Sequence, residues 1–140
     1  MTQRVAVVGA REASPETLEK VRAYVRALPA GTIVVSGGAD GVDTVAAETA
    51  RSVGLATIEF APKVGKIAGM SIARRNNGGP WEMWKSFDYE PSMRDALIFR
   101  NTLIALECTR MVAFVQGSKG GTWDAVKQAE RFRRPVEIVR

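Results

Sequence analysis

Short, nearly continuous apolar runs alternate along this chain with segments whose apolar residues recur at helical spacing. Arg4-Val-Ala-Val-Val8 is apolar almost throughout and stops at Gly9, the pattern of a strand covered on both faces. Ser14 before Pro15 marks a helix start, and Leu18, Val21, Val25 and Leu28 follow at helical spacing until Pro29-Ala-Gly31 breaks it. Residues 32–36 predict a second buried strand. Val42, Val45, Ala46, Thr49, Ala50 and Val53 predict the inward stripe of a second helix, with Gly54 as its stop. Residues 55–60 predict a third strand, and a helix is predicted over about 93–106. A fourth strand follows over 111–115, then a helix carrying Trp123, Val126, Ala129 and Phe132 on one side, and a final strand over 136–139.

This order predicts a single α/β domain spanning residues 1–140, an open parallel sheet with helices on both faces. The alternation breaks between about 61 and 92, where Pro62, Arg74-Arg75-Asn76-Asn77 and Gly78-Gly79-Pro80 read as a long insert after the third strand. In open sheets of this kind ligands bind beyond the carboxyl ends of the strands. Three strand-to-helix loops therefore carry the candidate chemistry: 9–14, 36–43 and 116–122.

Composition narrows that chemistry. The chain has 140 residues, 46% apolar and 25% charged, an ordinary globular balance. No charge-free run approaches the ~18 apolar residues of a membrane span, and Met1-Thr-Gln-Arg4 runs into the first strand without a signal-peptide core. The expected setting is cytoplasmic, with no membrane partner. The single cysteine, Cys108, excludes an intramolecular disulfide and is expected to be a small buried hydrophobe. The absence of histidine excludes Ser-His-Asp and Cys-His catalysis and His-based zinc sites. Net charge is +5, and 14 of the 20 cations are arginine. That balance suits an anionic partner, nucleic acid or a small phosphorylated ligand, and it also serves solubility.

In the first loop Gly9 and Ala10 let a ligand approach the backbone, and Arg11 offers a guanidinium. In the second, Ser36, Gly37, Gly38, Asp40 and Asp43 stand at a helix start, where free amides favour an anion. Asp40 could cap that helix and Asp43 favour its dipole, or Asp43 could accept hydrogen bonds from sugar hydroxyls. The third loop, Gly117, Ser118, Lys119, Gly120, Gly121 and Thr122, is a phosphate cradle in composition. Neither a strict G-x-G-x-x-G nor a P-loop is present. Asp40 or Asp43 could meet a metal, but no ligand spacing demands one, and no cofactor is called for.

Together these residues resemble the SLOG superfamily, a Rossmann-like group that includes YspA- and YpsA-type proteins, the DNA-processing protein DprA and the LOG phosphoribohydrolases. The resemblance rests on Val7-Val-Gly-Ala-Arg11, Ser36-Gly-Gly-Ala-Asp-Gly-Val-Asp43, Arg100-Asn101 and Gly117-Ser-Lys-Gly-Gly-Thr122, in the family's order. The YspA-type branch is the nearest in pattern. The resemblance implies a cleft that binds a nucleotide or nucleotide-derived ligand, as a sensor or an enzyme. In LOG enzymes an arginine and the glutamate of P-G-G-x-G-T-x-x-E hydrolyse the N-glycosidic bond of a nucleoside monophosphate. Arg100 stands where that arginine would fall, but the glutamate position is Ala125 and the leading proline is missing. Hydrolysis would then need Asp124, or more distantly Glu107, as the carboxylate. DprA kinship and the Arg131, Arg133, Arg134 cluster keep single-stranded nucleic acid as a rival partner.

Trp81, Trp84, Phe87 and Tyr89 gather near Arg74 and Arg75 at the end of the insert. They could form a lid stacking on a base, pin the insert to the domain, or build the interface of a homo-oligomer, the assembly expected here.

Overall fold

A computed structural model describes residues 2–65, 69–117 and 120–140. The chain runs β1 (Arg4–Gly9), α1 (Pro15–Arg26), β2 (Ile33–Ser36), α2 (Val42–Ser52), β3 (Ala56–Gly65), β4 (Gly69–Asn76), β5 (Glu82–Ser86), α3 (Met93–Glu107), β6 (Arg110–Phe114), α4 (Gly121–Arg131) and β7 (Val136–Val139). The strands form one seven-stranded sheet in the order β5-β4-β3-β2-β1-β6-β7. β1 pairs in parallel with β2 and β6, β2 with β3, and β6 with β7.

Central β1 is buried on both faces because its alternate residues serve two cores. Val5 and Val7 join Val21 and Val25 of α1 and Val42, Ala46 and Ala50 of α2. Ala6 and Val8 join Ala96, Leu103 and Ile104 of α3 and Ala125, Val126 and Ala129 of α4. Helices thus cover both faces. Ser14 caps α1 by accepting a hydrogen bond from the Thr17 amide at 3.1 Å, and Ser92 caps α3 through the Asp95 amide at 3.1 Å. Cys108 is buried in the α3–α4 core, and burial pushes its thiol up to about 11. Val53, expected in the inward stripe of α2, is instead the C-cap and 44% exposed. It ends the helix just before Gly54, whose φ is +81°.

The region expected as a loop is largely sheet. β3 continues to Gly65, β4 returns antiparallel along its whole length, and β5 pairs antiparallel with β4. The sheet is therefore mixed at this edge. Polar residues hid these strands: Arg74, Arg75 and Asn76 read as a turn cluster, whereas an edge hairpin with one solvated face accommodates them. A bulge interrupts the β4–β5 ladder between Ile72 and Ala73. Trp84 is the extra residue it leaves unpaired, between the partners Met83 and Lys85.

The chain builds β1, β2 and β3 to one side, then crosses back through α3 to place β6 on the other side of β1. The carboxyl ends of β1 and β6 flank the point where strand order reverses, where open α/β sheets bind ligands.

Candidate functional site

The loops after β1 and β2 meet at this point. The α2 amide of Val42 donates to the Ala10 carbonyl at 3.2 Å. Gly41, the N-cap of α2 with φ +78°, fits because a Cβ there would fall 2.3 Å from the Arg11 carbonyl oxygen. No side chain caps α2, so Asp40, exposed on its loop, does not play the capping part open to it from sequence.

Asp43 stands in the first turn of α2, 5% exposed. Among the described residues its Oδ1 is buried without a hydrogen-bond partner, as is Oγ of fully buried Ser36. Burial pushes the Asp43 carboxyl up to about 6 from its ordinary 3.8. Arg100 and the backbone of Ala39 and Gly37 oppose the rise, and Glu59 adds to it. Gly37 lies outside the cleft lining, packed against both side chains. A Cβ there would fall 2.6 Å from Asp43 Oδ2 and 2.7 Å from Arg100 Nη1.

Arg100, on α3 and 8% exposed, reaches across the sheet end. Its Nη1 donates to the carbonyls of Gly37 and, at 3.4 Å, Phe60, and its Nε donates to Asn101 Oδ1 at 3.0 Å. Burial lowers its affinity for a proton, Asp43 acts in the opposite sense, Arg11 adds to the lowering, and Asp124 again opposes it. Asn101 carries the arrangement onward. Its Nδ2 donates to Asp124 Oδ2 at 2.9 Å and to the Gly121 carbonyl at 3.3 Å. Asp124 Oδ1 accepts from Gln128 at 3.5 Å.

A cleft of about 520 Å³ opens among these groups, lined by Gly9, Ala10, Arg11, Asp43, Arg100, Asn101, Gly120, Gly121 and Thr122. All three loops thus reach one opening. Gly117 lies outside this lining, where its carbonyl accepts from the Trp123 indole at 3.1 Å; Ser118 and Lys119 fall outside the described residues. Gly38 also stands back from the cleft wall and carries the Trp81 ring, whose Cη2 would lie 2.9 Å from an added Cβ. Asp124 faces the adjoining α3–α4 groove, whereas Ala125 faces the cleft. Glu107 is engaged elsewhere, 2.9 Å from Arg74. Among the described residues no group of three or more potential metal ligands forms.

Sequence reasoning missed the opposite wall. Met93, Leu97 and Ile104 share the α3 stripe that holds Arg100 and Asn101. Their helical spacing was a usable signal, as is Met93, left 52% exposed at the rim. Glu59 was missed too. It is 1% exposed and accepts bidentately from Arg75, at 2.9 and 3.1 Å, and from Arg51 at 3.2 Å. Its signal was a lone carboxylate within an apolar strand.

The aromatic cluster splits. Arg75 and Lys63 each lie 4.5 Å from the centroid of Trp81, which sits against the β2–α2 turn. Trp84 stacks with Arg74, 4.4 Å away, near Phe60, and Phe87 packs on Phe99 of α3. Trp81 and Phe87 thus pin the hairpin to the domain. Arg134 donates to the Ala105 and Leu106 carbonyls, closing the end of α3.

The fold is that of a Rossmann-like α/β protein, with a crevice at the switch point of the sheet. The family model of DNA recombination-mediator protein A matches residues 1–71, half of the chain, and the chain belongs to that family. DNA processing protein A from Helicobacter pylori, which binds single-stranded DNA, is 21% identical with a TM-score of 0.72, covering 97% of this chain and 64% of its own. DprA from Streptococcus pneumoniae is 23% identical with a TM-score of 0.72, covering 99% of this chain and 50% of its own. The chain thus spans about half to two-thirds of these two. The molybdenum cofactor binding protein of Rippkaea orientalis is 19% identical with a TM-score of 0.67, covering 99% of this chain and 76% of its own. No curated protein matches. Among the described residues no helix is long and apolar enough to cross a membrane.

Proposed function

We propose that this protein binds a nucleotide or nucleotide-derived ligand in the cleft between β1, α2, α3 and α4. The observation that carries the reading is the convergence of Arg11 and the Gly120–Gly121 start of α4 on one opening of about 520 Å³. Free amides and the dipole at a helix start favour phosphate, and the guanidinium of Arg11 adds charge and directed donors. Met93 and Leu97 supply an apolar wall for a base. The cleft lies in the size range of small-ligand sites.

The surroundings favour binding over turnover. Position 125, which would carry the LOG-type glutamate, presents a methyl group to the cleft. Asp124, the substitute carboxylate, has both oxygens engaged by side-chain amides. Arg100 is committed to carbonyls, so its part is to hold the walls together.

Calorimetry with nucleoside mono- and diphosphates tests this reading, alongside chromatography for released base. Arg11→Ala is expected to weaken binding roughly tenfold or more, the worth of charge-assisted hydrogen bonds, with melting unchanged because Arg11 is exposed. Base release is expected to be absent. Release lost in both Arg100→Ala and Asp124→Asn would establish the glycosidase instead, and no binding by any nucleotide would overturn the reading.

Membership of the DNA recombination-mediator protein A family supports a second reading, single-stranded nucleic acid as the ligand. A strand held on phosphates loses affinity steeply with salt, whereas a pocketed mononucleotide loses little. A homo-oligomer through β5 is the assembly we propose, because every residue of that edge strand is exposed, with Met83 at 66% and Trp84 at 47%. Light scattering on Met83→Lys/Trp84→Glu checks it: the variant should be monomeric where the wild type is not.

A further inference from the structure

We infer that Asp43 makes the cleft's hold on an anionic ligand depend on pH: ionised, its carboxylate opposes the ligand's phosphate, and protonated, it leaves the cations of the cleft unopposed. This inference rests on the nucleotide reading above and adds its regulation.

Among the described residues that line the cleft, the charged ones are Arg11, Arg100 and Asp43. A carboxylate thus stands in the wall of a cavity whose other charges suit phosphate. Asp43 is 5% exposed, and it packs over Gly37 beside Arg100. A charge acts through space and needs no accessible surface to do so, and one buried in protein is screened less than one in water. A cleft of about 520 Å³ keeps its walls within a Debye length, about 10 Å at 0.1 M salt, of whatever it holds.

The carboxyl titrates where this matters. Burial pushes it up to about 6, Arg100 and the backbone of Ala39 and Gly37 oppose the rise, and Glu59 adds to it. Asp43 is thus ionised at pH 7.5 and largely neutral at pH 5. The charged groups facing it are Arg100 from α3 and Glu59 from β3, while Arg11 of the β1–α1 loop and Asp124 of α4 act on Arg100. Glu59 is itself held by Arg51 of α2 and Arg75 of β4. The chain has no histidine, so no imidazole titrates over the same range. Protonation of Asp43 changes the lining from two cations against a carboxylate to two cations alone. By reciprocity, a bound phosphate strengthens the carboxyl's hold on its proton.

Calorimetry with the four ribonucleoside 5′-monophosphates, on wild type and Asp43→Asn at pH 7.5 and pH 5, tests the inference. Asparagine is nearly isosteric and neutral at both pH values, so it stands for the protonated carboxyl. Any nucleotide that binds should bind Asp43→Asn about tenfold tighter than wild type at pH 7.5, the equivalent of one pKa unit of coupling. At pH 5 the two proteins should agree within about twofold, because the wild-type carboxyl is then mostly neutral. The ligand's own phosphate titrates in the same range, but it is common to both proteins and cancels in their ratio. Asp43→Ser, likewise neutral, gives the same comparison if asparagine disturbs the fold. Equal affinities at both pH values overturn the inference and leave the nucleotide reading intact. A gain of the same size at both pH values overturns it too, since a charge effect must vanish with the charge. Weaker binding by the variant at pH 7.5 would make Asp43 a direct contact and also overturns it. Binding of no nucleotide by either protein overturns both readings.

Discussion

The side-chain amide of Asn101 donates to Asp124 Oδ2 at 2.9 Å and joins the middle of α3 to the first turn of α4. Both helices border the cleft, so this bond sets the spacing of two of its walls. Asn101→Ala should cost about 1–3 kcal/mol, the usual effect of orphaning polar partners, here buried Arg100 Nε and half-buried Asp124. Asn101→Asp, nearly isosteric, sets two carboxylates together but keeps the acceptor for Arg100 Nε, so it should cost less than Asn101→Ala while still falling below wild type. Urea denaturation of the two variants measures both effects, and an Asn101→Ala protein as stable as wild type would show that these bonds carry no weight.

Arg100 holds two carbonyls that no other side chain reaches among the described residues, those of Gly37 and Phe60. Arg100→Ala should therefore destabilise the fold by about 3 kcal/mol, from unsatisfied buried carbonyls and from Asp43 losing its neighbouring cation. Arg100→Lys should recover only part, because an ammonium lacks the planar fork that serves several acceptors at once. Thermal unfolding of the pair distinguishes this structural part from a purely catalytic one, which would leave the melting temperature unchanged.

Asp43 makes stability depend on pH in the less common direction. Its carboxyl titrates at about 6 in the fold against an ordinary 3.8. Between those values the folded protein binds more protons than the unfolded chain, so this group's contribution becomes more favourable as pH falls from above 6 toward 4. The full difference is about 3 kcal/mol at most. Asp43→Asn removes the ionisation, and it should stabilise the protein at pH 8 and flatten this part of the profile. Denaturant titrations between pH 4.5 and 8 on both proteins check the sign.

Glu59 is buried with bidentate Arg75 on one side and Arg51 on the other, tying β4 and α2 to β3. Glu59→Gln should cost about 3–5 kcal/mol, the usual result of removing one partner from a buried ion pair. Arg75→Ala should cost less, since Arg51 remains beside the carboxylate, but it also frees Trp81, which Arg75 overlies. Equilibrium unfolding with Trp fluorescence follows both variants: a Glu59→Gln loss under 1 kcal/mol would contradict this account.

The carboxyl-end loops were legible in the sequence because strand-to-helix turns at a parallel sheet need small residues, and Gly9, Gly37, Gly41, Gly120 and Gly121 stand where those turns fall. The apolar runs likewise determined the parallel strands β1, β2, β3 and β6, since a strand covered on both faces must be apolar on both, and edge strand β7, whose Val136 and Val139 pack against opposite cores. The remaining strands, β4 and β5, were not legible. At an edge only one face is buried, polar residues are tolerated, and the period-two signal weakens until pairing with β3 decides the matter.

What the sequence by itself determined is the order of the elements outside the 61–92 segment and the loops that would meet, because periodicity and turn chemistry are local properties. Only the tertiary structure decided what each charged group faces. Asp43 is buried with an oxygen unpartnered among the described residues, Arg100 is turned onto two carbonyls, Asp124 is held by Asn101, and Glu59 lies between two arginines. Those outcomes rest on contacts between residues far apart in the chain, and the burial that shifts a carboxyl or commits a guanidinium exists only once the helices are docked on the sheet.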